Sequence, residues 1–331
     1  MGDLGVHLSQ QLPVEKVVAV AQMADAFGYQ RFFFSDHLAR DPFAILTACA
    51  LKTQRVSVGP AVMPLFARHP VAAAIGAATL DHISGGRFVF GIGTSHPEMI
   101  TSRLGIPWHK PVGHLREYVE IVRALHRGGA VSYQGEHYQV DYQLPFPPSR
   151  PTPIYLGPSR PRMFELSGRL ADGVVLNWGS PDYLAGRLKE LYAAAGDAGR
   201  EPSAVEIGCS LWCAVTAAAD ETAQVRDRFR GMMGFFVRFG TYRQRFGELG
   251  FQDEMEAAAA ALERGEPVPP LIPDALLDAI SVLGDVDFCR SRLEEYRRAG
   301  IELPLVVPLT TPDGDLDPIR RTLAALSPAG Q

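Results

Sequence analysis

From one end of the chain to the other, short apolar runs alternate with longer segments of helical period, and few folds can accept that rhythm. Leu4 to Leu8 reads as a strand. Val14, Val17, Val18, Ala21, Ala24 and Phe27 then share one helical stripe, which Gly28 stops. Arg31 to Ser35 contains Phe32-Phe33-Phe34, an unbroken apolar run of the kind buried on both faces of a sheet. The same signals predict strands at 55–62, 86–92, 153–156, 173–177, 205–215 and 303–307. They predict helices at 42–51, 71–81, 112–126, 161–170, 182–195, 221–239, 254–264, 285–298 and 317–326. Eight strands, each followed by at least one helix, imply a parallel sheet covered by helices. The expected fold is therefore α/β, a (β/α)8 TIM barrel, which typically needs ~250 residues. The chain has 331 residues, and the surplus is assigned to two excursions, near 133–151 and near 239–273. The rival topology, an open doubly wound sheet, lacks its G-x-G-x-x-G after the first strand. Residues 1–331 read as a single domain.

Composition narrows the function classes. A formal charge of −5 gives no electrostatic attraction to nucleic acid or to an anionic membrane. The longest weakly apolar run, Pro70 to Leu80, is too short to span a bilayer. Met1 to Leu12 carries no export signal, and four scattered cysteines do not make a disulfide scaffold. A cytoplasmic location and a small-molecule partner are expected.

In such a barrel the active site lies at the C-terminal ends of the strands. Those ends hold His7 and Ser9; Ser35, Asp36 and His37; Gly59 to Pro64; Gly91 to His96; Gly157 to Arg160; Asn177 and Trp178; Trp212 and Cys213. His37 is a candidate proton donor or acceptor near neutral pH. Alternatively, Asp36 caps the following turn while His37 merely packs; both readings stay open. Gly91-x-Gly93 with Thr94 and Ser95 offers backbone room for a flat ligand and hydroxyls to hold it, or else simply a tight strand-to-helix turn. His96, before Pro97, is undecided by itself. Gly157, Pro158, Ser159 and Arg160 precede a helix with Pro161 in its first turn, a composition that suits a phosphate and also suits an ordinary βα turn. Together the three loops fit a flat cofactor with a phosphate tail. Phe66, Trp108, Trp178, Trp212 and Phe236 suggest an apolar ligand at the mouth, or core packing. The remaining histidines form no H-x-x-x-H or HExxH pattern, so no metal site is expected, and no G-x-S-x-G elbow occurs.

Four segments together resemble luciferase-like flavin- and deazaflavin-dependent oxidoreductases. These are Ala24 to Tyr29 through Ser35-Asp36-His37, Arg68-His69-Pro70, the Leu80-Asp81-x-x-Ser84-Gly85-Gly86-Arg87 run, and Ala171-Asp172-Gly173. The similarity runs through essentially the whole chain and implies a (β/α)8 barrel. Gly91 to His96, Arg116-Glu117-Tyr118 and Gly135-Glu136-His137 resemble the actinobacterial branch that uses coenzyme F420. That resemblance implies hydride transfer between reduced F420 and an unsaturated small molecule, in a homodimer. An FMN-dependent monooxygenase and a cofactor-free binding homologue are the alternatives. It further implies a non-proline cis peptide at Ala61–Val62, forming a bulge that backs the cofactor ring. His37 or His96 would exchange the proton. Asp36, Gly93 to His96, Gly157 to Arg160 and Asn177 would contact the cofactor. Thr94 stands where sugar-phosphate dehydrogenases of the family place glutamate. Only Lys16, Lys52, Lys110 and Lys189 are present to hold a substrate phosphate, which argues against that reaction.

Overall fold

The computed structural model describes residues 2–9 and 12–328. The strands are β1 (Gly5–Leu8), β2 (Arg31–Phe34), β3 (Ser57–Pro60), β4 (Met63–Pro64), β5 (Phe90–Gly93), β6 (Ala130–Gln134), β7 (Gln139–Gln143), β8 (Ile154–Leu156), β9 (Gly173–Asn177), β10 (Glu206–Val215), β11 (Ser281–Gly284) and β12 (Leu303–Pro308). The main sheet is parallel and runs β3-β2-β1-β12-β10-β9-β8-β5-β4. Met63 pairs with Ile92, and a bridge joins Val58 to Phe88. β3 and β4 thus act as one interrupted strand that closes the ring, giving the expected eight-position barrel.

Alternation along the strands sorts the side chains. Phe33, Val89, Tyr155, Val175, Leu303 and Leu305 form a cluster inside the barrel, while a larger core lies between strands and helices. Local chemistry sets several helix starts. Asp41 accepts from Ala44 N, Ser180 from Tyr183 N and Asp285 from Phe288 N, each capping a helix.

Several segments carrying the family resemblance prove to be structural ties. Arg87 hydrogen-bonds the carbonyls of Ala50, Thr53, Val56 and Ser84, locking the start of the fourth barrel strand to the preceding turn. Asp172 pairs with Arg123 at 2.9 Å and accepts from Ile154 N. The buried carboxylate of Glu117 accepts the backbone N–H groups of Glu136, His137 and Tyr138, so the β6–β7 hairpin is pinned to the helix Pro111–His126.

The sequence rhythm missed some elements. A short helix, Pro97–Leu104, follows β5. The first excursion opens earlier than expected, as the hairpin from Ala130. The second holds the expected helix, as Gln252–Arg264, and adds helices Gly240–Phe246 and Asp274–Ile280 after the helix Ala219–Phe236, then β11 beside the end of β10. These helices bury a second core of their own. Helix Gly240–Phe246 is too short and too polar to show a readable stripe, which is why periodicity overlooked it.

Candidate active site

The peptide between Ala61 and Val62 is cis, as expected, and it interrupts β3–β4. The Val62 side chain is directed at its neighbours' glycines. A Cβ built on Gly93 would lie 2.4 Å from Val62 Cγ2, one on Gly157 3.2 Å from the same atom, and one on Gly91 2.0 Å from Pro60 O. The Gly91-x-Gly93 pair therefore makes room for the adjacent strand and its bulge. Close packing of the bulge is thus one use of these glycines, beside the flat ligand and the tight turn that the sequence leaves open.

Free space starts one residue later. A cavity of about 500 Å³ lies between Thr94, Ser95, His96 and Pro97 on one side and Ser159, Arg160, Pro161, Arg162 and Met163 on the other. Trp108, Pro111, Val112 and Thr241 complete its wall. Trp108 Nε1 donates to Thr94 O at 3.0 Å and so ties the two sides of the strand-four loop together. Ser95 holds φ +56°, a left-handed conformation that turns the chain sharply after β5. Opposite, the helix Pro161–Leu170 has proline in its first turn, and no side chain caps its N-terminus. Its leading N–H groups, with Arg160 and Arg162 beside them, favour an anion.

His37 stands at the end of β2. Its Nε2 lies 2.8 Å from Ser9 O and 3.4 Å from Ser9 Oγ, and Arg103 hydrogen-bonds its carbonyl. Burial holds the imidazole below its ordinary range. Asp36, raised by burial, accepts from Leu38 N rather than capping the next helix, a role Asp41 takes. Beneath them, inside the barrel, His7 bridges Ser210 Oγ and Ser35 Oγ, both at 2.7 Å. Burial lowers His7 to about 3, so the ring is a neutral strut linking three strands.

Tertiary structure supplies two residues that the sequence did not suggest. Arg245, only 5 % exposed, donates to Asn177 O at 3.1 Å and to Ser159 O at 2.6 Å, with its guanidinium over the Tyr183 ring. It thereby joins the ends of two barrel loops to the helical excursion. Tyr242 brings its hydroxyl to within 3.1 Å of His96 Nε2. Both lie on Gly240–Phe246, and no local signal marks them.

The aromatic mouth reading is corrected in part. Trp108 lines the cavity, but Trp178 and Trp212 are buried, packed with Phe229 and Phe236 in the second core. Phe66 packs on His114. His109, His114 and His137, scattered in sequence, meet beside the hairpin, with His114 and His137 stacked at 3.9 Å. Among the described residues, no group of three or more His, Cys, Asp or Glu is arranged to hold a metal. Among the same residues, no helix is long and apolar enough to cross a membrane.

Residues 1–303 match the family model described as luciferase-like monooxygenase. A 5,10-methylenetetrahydromethanopterin reductase of Archaeoglobus fulgidus is 29% identical over 309 residues, covering 90% of each chain. In three dimensions the chain is similar to the coenzyme F420-dependent tetrahydromethanopterin reductase of Methanopyrus kandleri. The TM-score is 0.85 at 22% identity, covering 99% of this chain and 98% of that one. It is also similar to the oxygenating constituent of the Pseudomonas putida 3,6-diketocamphane monooxygenase in complex with FMN. There the TM-score is 0.79 at 18% identity, covering 99% and 98%.

Proposed function

We propose that this chain, which belongs to the luciferase-like monooxygenase family, is an F420-dependent oxidoreductase acting on an unsaturated small organic molecule. The observation that carries this reading is the cavity, with hydroxyls and His96 on one wall and an uncapped helix N-terminus with two arginines on the other. Such an asymmetric slot fits a flat ring joined to a phosphodiester. The Archaeoglobus relative and the Methanopyrus neighbour are both reductases, which supports reduction over oxygenation.

Deazaflavin bound there would supply a two-electron hydride exchange. Everything else is done by this chain. Val62, seated against Gly93 and Gly157, would back the ring. Ala61, Gly93, Thr94 and Ser95 would line it, with Asp36 at the adjoining strand end. Gly157, Pro158, Ser159 and Arg160 would hold the phosphate, with Arg245 fixing the Ser159 and Asn177 carbonyls. His37, neutral and anchored on Ser9, would exchange the proton that accompanies hydride transfer. No lysine lines the cavity, in keeping with a substrate that is not a sugar phosphate.

Anaerobic titration of the purified protein with F420 and, separately, with FMN tests the reading. Saturable F420 binding is expected. Tight FMN binding with flavin-dependent oxygen uptake and no F420 binding would replace it with a monooxygenase, and failure of both would leave a binding homologue. A homodimer belongs to the same proposal. The exposed face of helix Pro70–Ser84 is Ala72, Ile75, Thr79, His82 and Ile83, with no Asp, Glu, Lys or Arg on it to hold it in water. Sedimentation velocity at twice the chain mass checks it.

A further inference from the structure

The helix Gly240–Phe246 does more than roof the barrel, because it carries a hydroxyl to His96. Tyr242 Oη lies 3.1 Å from His96 Nε2, and the two rings stand 4.9 Å apart. The phenol can donate or accept, but its own proton needs an acceptor. Trp178 stands edge-on to the tyrosine ring at 6.0 Å, Phe236 edge-on at 5.3 Å, Phe239 edge-on at 6.0 Å and Phe246 stacked at 6.4 Å. None of these side chains has one, whereas His96 Nε2 does. In the opposite arrangement the phenol oxygen would accept from His96 while its own proton stayed unpaired among aromatic rings, which is costly in a half-buried site.

We propose that Tyr242 donates its hydroxyl proton to His96 Nε2 and so fixes His96 as the Nδ1–H tautomer. Nδ1–H is then the ring donor left for a ligand in the cavity that His96 lines. The surroundings keep both groups neutral. Burial holds His96 below its ordinary range, with Glu98 and Arg160 opposing one another, and pushes the Tyr242 hydroxyl up to about 12. Phe239 packs on the other side of the imidazole at 5.4 Å. Trp178 is held in a left-handed conformation, φ +53°, at the end of β9, which presents its ring to Tyr242.

A neutral imidazole N–H beside a bound ligand stabilises an oxygen or nitrogen that gains negative charge. On the proposed function, this selects substrates whose reacting group is C=O or C=N, or an alkene conjugated to one, over an isolated alkene. His96 is then the catalytic hydrogen-bond donor, with Tyr242 as its positioning residue.

The test is made on the cofactor-free, full-length protein labelled with 15N in histidine. Long-range 1H–15N correlation reads which ring nitrogen carries the proton, and His96→Gln identifies the signals by their loss. The expected result is a protonated Nδ1 and an unprotonated Nε2 in the wild type, with loss of that pattern in Tyr242→Phe. A wild-type His96 protonated on Nε2, or a pattern unchanged in Tyr242→Phe, would overturn the donation from Tyr242. The wild-type spectrum decides the tautomer even if the variant does not fold. An Nδ1–H ring in a protein that binds no deazaflavin would remove the proposed function and leave the donation standing.

Discussion

Gly93→Ala is a test of how the cofactor wall is built. The added methyl would sit 2.4 Å from Val62 Cγ2, whereas carbon atoms in contact prefer roughly 3.5–4.0 Å. One of the two must move by about 1 Å. Val62 packs near Gly157 and Gly91 too, where an added Cβ would lie 3.2 Å from Cγ2 and 3.4 Å from Cγ1, so neighbouring backbone lies close to both methyls. Overpacking of this kind costs about 1–3 kcal/mol. With an unfolding entropy of ~2.1 cal/mol/K per residue over 331 residues, Tm should fall by about 1–4 °C. Because Val62 is proposed to back the cofactor ring, F420 affinity should fall along with it. Differential scanning calorimetry and fluorescence titration read the two effects. Val62→Ala removes the obstructing methyls, so the double variant should be more stable than the two single losses predict, by at least about 1 kcal/mol of coupling. Gly93→Ala with wild-type Tm and affinity, or a double variant showing simple additivity, would refute the packing argument.

Other consequences can be measured independently. Arg245→Met removes two charge-assisted bonds of about 1.5–3 kcal/mol each, partly offset by release of a buried cation. Calorimetric titration should show about tenfold weaker F420 binding, from a loosened Ser159 loop. His37→Ala should keep the wild-type circular dichroism and lower turnover by about 10²-fold; unchanged turnover would remove it from the mechanism. Burial and the neighbouring histidines lower His114 to about 4, so the unfolded chain takes up that proton first. Its contribution to stability is whole above about pH 6.5 and is lost as the pH falls from there toward 4. Melting curves of His114→Phe, which keeps a ring against His137, should lose less Tm than wild type between about pH 7 and pH 4.5.

The barrel was legible because its signals are local. Phe32-Phe33-Phe34 announces a strand buried on both faces, Asp285 a helix start and Gly28 a helix end, each within a few residues. Fixing the strand ends also fixed where the site must lie, so His37, Thr94 to His96 and Ser159-Arg160 could be nominated from their places in the rhythm. Resemblance added the bulge at Ala61–Val62, which no apolar pattern encodes. The packing of Val62 against Gly93 was not legible, because a missing side chain says only that something comes close. Whether that something is a ligand or Val62 depends on a strand thirty residues earlier.

What completes the site was decided only by tertiary structure. GTYRQRF, residues 240–246, lies in the excursion near 239–273 and shows no apolar period, yet folding buries Arg245 against two barrel carbonyls and sets Tyr242 on a histidine 146 positions away. His109, His114 and His137 likewise meet only because Glu117 pulls the hairpin onto its helix. Periodicity encodes which face of an element is buried. It holds nothing about which distant polar group that face will meet, because hydrogen-bond partners are chosen by the packing of whole elements. The sequence by itself determined the scaffold and the rim on which chemistry would sit; the folded chain decided which side chains orient it.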